Sequence, residues 1–364
     1  MALYKINSLY LRLSLRLKNA IQRAWLQRGL LAWILSPLAL VYGVLMRLRR
    51  TAYDLGVLKS QCFPVAVVVV GNVVVGGAGK TPLIVALALH LKKQGLTVGV
   101  VSRGYGRRDD TCAEVLATDH AWHVGDEPAL IKSAARIPVF VARRRCDAVR
   151  LLLRNYPATE VVLCDDGLQH YALKRDVDIA VFDDRGLGNR WLLPAGLLRE
   201  PWPQNKARRA KLVLHTGQTP QFDGYKSHRE LAHHGVNAAG QQIAMADLKG
   251  QAVHAVAAIA NPQAFFNMIE SLGITLASRV ALPDHYSFPN GLLGIVTPGS
   301  RVQTVLCTEK DAVKLFSLDV PADARLFAVA LKFSPEPSFF MAVDALLSPV
   351  LQRKKSEISS TIRR

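Results

Sequence analysis

The stretch that most limits what this chain can fold into runs from Val65 to Gln94 and reads VAVVVVGNVVVGGAGKTPLIVALALHLKKQ. It is an apolar strand, a glycine-rich turn and an alanine- and leucine-rich helix. The turn Gly76-Gly77-Ala78-Gly79-Lys80-Thr81 has the properties of a triphosphate cradle. Little side-chain bulk lets backbone N–H groups converge on phosphate, while a lysine reaches the β and γ oxygens. A threonine hydroxyl can ligate magnesium, and the positive end of the new helix faces the anion. Val74 stands where the strict pattern has glycine.

The rest of the first half repeats a βαβ rhythm. Apolar strands are expected at 97–101, 138–142, 161–167 and 176–183, and polar loops follow their carboxyl ends. Near-continuous apolar strands separated by helices predict a mostly parallel sheet covered on both faces, with ligands gathered at the carboxyl ends. A polar stretch is expected from 215 to about 250. A second α/β rhythm then runs through AVHAVAAIANP, FFNMIESLG, VQTVLCTEKD and ARLFAVALKF. The expected organisation is a basic, hydrophobic segment at 1–55, a core at 56–214, a smaller lobe at 215–345 and a polar tail at 346–364, frayed from Arg353 onward.

Charge is unevenly placed. Of the net +18, half falls in the first 60 residues, where Lys5, Arg12, Arg16, Lys18, Arg23, Arg28, Arg47, Arg49, Arg50 and Lys59 face the single acid Asp54. No zinc-finger, RNA-binding or helix-turn-helix signature accompanies them, so nucleic acid is not the expected partner. Between Arg28 and Arg47 lie 18 uncharged residues, GLLAWILSPLALVYGVLM. As a helix they rise about 27 Å, at the short end of a bilayer span, and Pro37 is expected to kink them. Trp25, Trp33 and Tyr42 suit an interface. A membrane helix lying flat or re-entrant, a single span, and a soluble helix buried on the core all fit. The five cysteines (62, 112, 146, 164, 307) form no CxxC pair, which argues for a reduced compartment and against structural zinc.

Several groups can carry chemistry. Asp165 and Asp166 close a buried strand at the Walker B location, where a carboxylate holds magnesium, and Gln169 and His170 follow on the same lip. Phosphate transfer to a hydroxyl also needs a carboxylate to accept the proton, a task open to either Asp126 or Glu127 in Gly125-Asp126-Glu127-Pro128. That segment equally reads as a capped helix start. His285, beside Asp284 in LPDHYSFP, is a titratable partner for such a carboxylate. Thr308-Glu309-Lys310-Asp311 suits a nucleotide base or a solvated helix start. Arg103, Arg107 and Arg108 follow the second strand, and Arg143, Arg144 and Arg145 offer guanidinium forks to a phosphorylated substrate. The irregular segment RWLLPAGLLREPWPQNKARR suits either a lipid surface or a long connection packed on the sheet edge.

Taken together, GNVVVGGAGKTP, VSRGYG, VGDEP, CDDGLQH, GNRWLLPAGLLREP, LPDHYSFP and TEKDAVK resemble the tetraacyldisaccharide 4′-kinase family of lipid A biosynthesis, over about residues 10 to 320. That family carries the two-glycine variant of the loop, so Val74 conforms to it. The resemblance implies an α/β fold: a P-loop three-layer α/β/α core, a second smaller α/β lobe joined by a hinge, and an N-terminal hydrophobic membrane-associated helix. It implies transfer of the γ-phosphate of ATP to the 4′-hydroxyl of a tetraacylated glucosamine disaccharide 1-phosphate, with Mg2+, at the cytoplasmic face of a Gram-negative inner membrane. A monomer is the favoured state.

On this resemblance Asp126, His285 and Lys80 are catalytic. Gly76, Gly77, Ala78, Gly79, Lys80, Thr81, Glu127 and Gln169 bind nucleotide, and Thr81 with Asp165 or Asp166 holds the metal. Two rivals make different predictions: a P-loop NTPase switch acting on a membrane partner releases free phosphate, and a non-catalytic membrane scaffold is indifferent to changes at Lys80 or Asp126.

Overall fold

The computed structural model describes residues 21, 23–107, 109–203, 210–288, 303–318, 320 and 324–362. The first twenty residues of the basic segment, Arg108, residues 204–209, Pro289 of the LPDHYSFP motif and the last two residues of the tail lie outside these.

Valine-rich β1 (Ala66–Gly71) is buried along its whole length. Burying a valine contributes about 1.5–3 kcal/mol over leaving it exposed, which places this strand in the middle of a sheet. The P-loop helix α2 (Lys80–Lys93) follows it, after α1 (Leu30–Asp54) at the N-terminal side. Next come β2 (Val98–Ser102), β3 (Ala113–Glu114), the short α3 (Ala121–Val124), α4 (Asp126–Ala135), β4 (Val139–Val141), α5 (Arg145–Asn155), β5 (Val161–Asp165), β6 (Val177–Phe182) and β7 (Ala210–His215). Beyond them lie β8 (Tyr225–Val236), β9 (Gln242–Ala244), β10 (Val253–Ala257), α6 (Pro262–Ser271), β11 (Leu276–Ala281), β12 (Gln303–Thr308), α7 (Glu309–Leu315), β13 (Ala324–Pro335) and α8 (Pro337–Ile362).

Among the described residues one sheet runs β11-β10-β12-β13-β8-β7-β6-β1-β5-β2-β4-β3, with β9 on β8. β1 is parallel to both β5 and β6, so the P-loop and the Asp165–Asp166 pair emerge at the same edge. The expected polar stretch after 215 contains the strand that joins the two halves of the sheet. β8 pairs with β7 only at Leu214–Tyr225 and His215–Lys226, then runs antiparallel to β13 from Ser227 to Val236. Its polar side chains alternate outward with half-buried ones, so period-2 patterning was present in YKSHRELAHHGV without apolar character to mark it.

The tail also differs from expectation. α8 carries the polar run from Arg353 as far as Ile362. Phe339, Val343 and Leu347 join the core cluster that holds Leu83, Leu87 and Leu91 of the P-loop helix. Its basic residues are satisfied too: Lys354 donates to the Phe63 carbonyl at 2.7 Å, Arg353 to Asp176 at 2.8 Å, and Lys355 reaches Glu160 at 2.9 Å.

α1 passes Pro37 without interruption and presents most of its apolar surface to the outside, Leu30, Leu40 and Leu48 being 79, 73 and 61 % exposed. That excludes the fully buried soluble helix; α1 is long and apolar enough to cross a membrane. A narrow stripe docks it on the irregular 187–200 segment. There Trp33 meets Trp191 edge-on at 4.8 Å, Tyr42 donates to the Arg199 carbonyl at 2.8 Å, and Gly43 lies against Leu192. The segment itself is tied under the P-loop, with Arg199 N bonded to Val73 O and Val75 N to Leu197 O. It is therefore a packed connection that carries the apolar helix on its outer side.

Candidate active site

The carboxyl ends of β1, β2 and β5, the P-loop and the loops of the small lobe enclose a cleft of about 2220 Å³. Gly76, Gly77, Gly79, Lys80, Thr81, Glu127, Asp165, Asp166, Gln169 and His285 all line it. Ala78 is buried behind the loop, where its carbonyl accepts from Thr216 Oγ1 at 2.8 Å. Asp126 is buried beside the cleft, in contact with the lining residue His285.

Gly79 caps α2 in the left-handed region at φ 81°, which turns the loop into the helix as only glycine does without strain. Lys80 is buried and held between Asn72 Oδ1 at 3.4 Å and Asp166 Oδ1 at 3.6 Å. Asn72 also donates to Gly76 O at 2.7 Å, fixing the start of the loop.

The two strand-end aspartates have different environments. Asp166, itself left-handed at φ 47°, binds Lys80 and accepts from Arg199 Nη1 through both oxygens at 3.1 Å. Burial works against its charge, but Lys80 and Arg199 prevail and hold its carboxyl below the usual range. Asp165 accepts from Ser102 Oγ at 3.0 Å, yet its Oδ1 is buried with no hydrogen-bond partner. Burial, with the charge of Glu127 added, pushes its pKa up to about 7. A buried carboxylate with an orphaned oxygen, facing the Lys80–Thr81 turn, fits a divalent cation. Among the described residues no three His, Cys, Asp or Glu side chains gather as a metal cage.

Asp126 occupies the first turn of α4 after Gly125, whose φ 96° and ψ 150° are open to glycine almost alone. His285 Nδ1 lies 2.9 Å from Asp126 Oδ2, and Lys314 Nζ donates to the same oxygen at 2.6 Å. Burial opposes the Asp126 charge, but those two partners hold its carboxyl below the usual range. Lys310 joins the same network through Asp284 at 3.0 Å and Glu127 at 4.0 Å. The arrangement is a carboxylate and an imidazole poised at a cleft wall, able to orient a hydroxyl and take its proton.

Other expected residues have different places. Arg143, Arg144 and Arg145 line the cleft, but Arg145 is buried and its Nη2 donates to the carbonyls of Asp165 and Asp166. Arg143 reaches Asp110 at 3.8 Å on the surface. Thr308 caps α7 and lines the cleft together with Glu309 and Lys310, whereas Asp311 is buried under the helix, accepting from Ala258 N, and is structural. Gln169 donates to Glu200 at 2.9 Å and to the Asn72 carbonyl. The sequence reading missed Lys314, Ser102, Asn72 and Arg199. For Lys314 a signal existed: it stands four residues after Lys310, on the same helical face.

The profile of the family described as Tetraacyldisaccharide-1-P 4′-kinase matches residues 31–348. A tetraacyldisaccharide 4′-kinase of Polaromonas naphthalenivorans is 56 % identical over 340 residues, covering 93 % of this chain and 98 % of the relative. A second, from Polaromonas sp. strain JS666, is 56 % identical over 334 residues, with 92 % and 98 % covered. The crystal structure of LpxK from Aquifex aeolicus in complex with ATP superposes with a TM-score of 0.74 at 30 % identity, covering 88 % of this chain and all of that one. With P-loop, strand-end acids and a buried Asp–His pair around one cleft, and with these matches along nearly its whole length, the chain belongs to the tetraacyldisaccharide-1-P 4′-kinase family.

Proposed function

We propose that this chain transfers the γ-phosphate of ATP to the 4′-hydroxyl of tetraacyldisaccharide-1-P with Asp126 as the proton acceptor, oriented by His285. The observation that carries this reading is the buried Asp126–His285 contact at the wall of the P-loop cleft. Asp126 stays anionic at neutral pH because His285 and Lys314 offset its burial, and an anionic base is what the acceptor hydroxyl requires. Lys80 and the amides of 76–81 hold the phosphates, with Glu127 and Gln169 lining the nucleotide site. Thr81 and Asp165 are the residues that would hold Mg2+, which when bound neutralises charge on the transferring phosphoryl group. Asp166 serves Lys80 and Arg199 instead.

The chain is membrane-associated through α1. The acceptor's acyl chains match the exposed apolar face of that helix. The P-loop has to meet ATP, which puts the cleft at the cytoplasmic face of the inner membrane. The test is transfer from γ-labelled ATP to purified lipid acceptor in detergent. Label on the lipid with the parent chain, and none with Asp126→Asn despite retained ATP binding, is expected. Label appearing as free phosphate whether or not lipid is present would reject a kinase.

A further inference from the structure

Two arginines press on the P-loop from outside it. Arg185 lies against Gly76, where a Cβ would come within 2.9 Å of its Nη1. It is paired with a carboxylate, since its Nε contacts both oxygens of Asp183, at 3.1 and 3.0 Å, its Nη2 lies 2.8 Å from the same carboxylate, and its Nη1 donates to the Val75 carbonyl at 3.0 Å. Arg229 lies against Gly79, where a Cβ would collide with its Nη2. It comes from β8, opposite Phe333 of β13, with its guanidinium carbon 5.8 Å from that ring centroid.

Unlike Arg185, Arg229 has no carboxylate in contact among the described residues. Its Nε and Nη2 are both buried without a hydrogen-bond partner. The acids whose charges reach it are Asp183 and Asp184. Asp183 is taken by Arg185, and Asp184 accepts from Thr219 N at 2.8 Å and Thr219 Oγ1 at 3.0 Å. Leaving buried guanidinium donors unsatisfied is costly unless an anion supplies the acceptors. The cleft that Arg229 lines is where the loop gathers its backbone amides.

We propose that Arg229 is a phosphate-binding residue for the nucleotide, supplied to the P-loop by the strand that joins the two lobes. Its fork lies on the Gly79 side of the loop, and bidentate contact with the triphosphate fills the donors that the protein leaves open. Because β8 is also bonded along β13, the small lobe and the phosphate tail become mechanically linked through one side chain. The inference rests on the P-loop being the ATP site.

Calorimetric titration of the full chain in detergent with Mg-ATP and with AMP tests it. Arg229→Met is expected to weaken ATP binding about 10- to 100-fold, the scale of a lost hydrogen bond to a charged group, to leave AMP binding unchanged, and to hold or raise the nucleotide-free unfolding temperature. Parent-like ATP affinity, or equal loss for ATP and AMP, would reduce Arg229 to packing on Phe333 and overturn the proposal. Should Arg229→Met fail to fold, Arg229→Gln, which keeps the stem and a polar head without charge, carries the same comparison. Lys80→Ala is the control. If it too binds ATP like the parent, the P-loop assignment is what fails; if it alone loses ATP, only the role of Arg229 falls.

Discussion

Asp126 and His285 are 159 residues apart in the chain and 2.9 Å apart in space, so one hydrogen bond joins the first turn of a core helix to a loop of the small lobe. His285 is held there in the left-handed region, at φ 63°, a conformation that costs energy for a residue with a side chain. If the two act as one unit, their removals cannot add. Asp126→Asn and His285→Ala are each expected to lower kcat by about 10²–10⁴, with little change in ATP affinity, and the double variant should be no slower than the slower single. Steady-state kinetics on all four proteins decides it: full additivity would mean independent roles.

Gly125 sets where Asp126 points. Its φ of 96° and ψ of 150° are nearly closed to other residues, and a Cβ there would sit 3.0 Å from the Gly104 backbone. Gly125→Ala is expected to cost about 1–3 kcal/mol of stability and, by displacing Asp126, to lower kcat more than it changes ATP binding. Chemical denaturation with parallel kinetics checks this. A variant with parent stability and turnover would show that the loop tolerates another path.

Asp165 makes the nucleotide-free protein pH-sensitive. Its pKa rises from an unfolded value near 3.8 to about 7, chiefly through burial. Between those two values the native state holds a proton that the unfolded state has lost, so this group's contribution falls as pH rises and levels off above 7. Without Mg2+ or nucleotide, Asp165→Asn should match the parent near pH 4 and exceed its stability at pH 8 by a few kcal/mol, at about 1.4 kcal/mol per pKa unit. At pH 8 magnesium should stabilise the parent and not the variant. Unfolding curves at the two pH values measure both effects, and a variant less stable than the parent at pH 8 contradicts the assignment.

How far these features could be read in advance depended on how local their cause is. Lys80, Thr81 and the Asp165–Asp166 pair belong to short motifs at strand ends, where the chain's own turn places the side chain. β8 could not be read this way: its alternation is carried by Tyr225, Ser227 and Arg229, which become half-buried only because β13 arrives from a hundred residues later. Arg229 was hidden with it. The polar end of α8 looked frayed because Lys354 and Arg353 find their partners on Phe63 and Asp176, which no local pattern announces.

The apolar face of α1 gives a prediction separable from catalysis. Leu40 and Leu48 are exposed and do not line the cleft. Leu40→Glu with Leu48→Glu should therefore leave ATP binding and the unfolding temperature near the parent values, since exposed substitutions usually change stability by less than about 0.5 kcal/mol. Binding to anionic vesicles should drop sharply, because each charge opposes both the apolar contact and the lipid headgroups. Vesicle flotation measures the effect. Undiminished flotation would place the membrane contact elsewhere on the chain.

Lys314 offers the most direct test of what keeps Asp126 charged. Its ammonium donates to Asp126 Oδ2 at 2.6 Å and also to the Tyr286 carbonyl at 3.1 Å, bridging the carboxylate to the loop that carries His285. It lowers the Asp126 pKa both as a hydrogen-bond donor and as a charge, against the effect of burial. In Lys314→Met burial and His285 remain while that opposition weakens, so the Asp126 pKa must rise. A base is useful only when deprotonated, so the acid limb of the kcat/KM profile should move to higher pH. The loss relative to the parent should then be largest on the acid side and shrink as pH rises. A purely structural lysine would lower activity by the same factor at every pH. The pH profile of kcat/KM, taken at fixed Mg-ATP with the lipid acceptor varied, separates the two. A parallel downward shift would mean that Lys314 only braces the loop and that His285 alone sets the charge of Asp126.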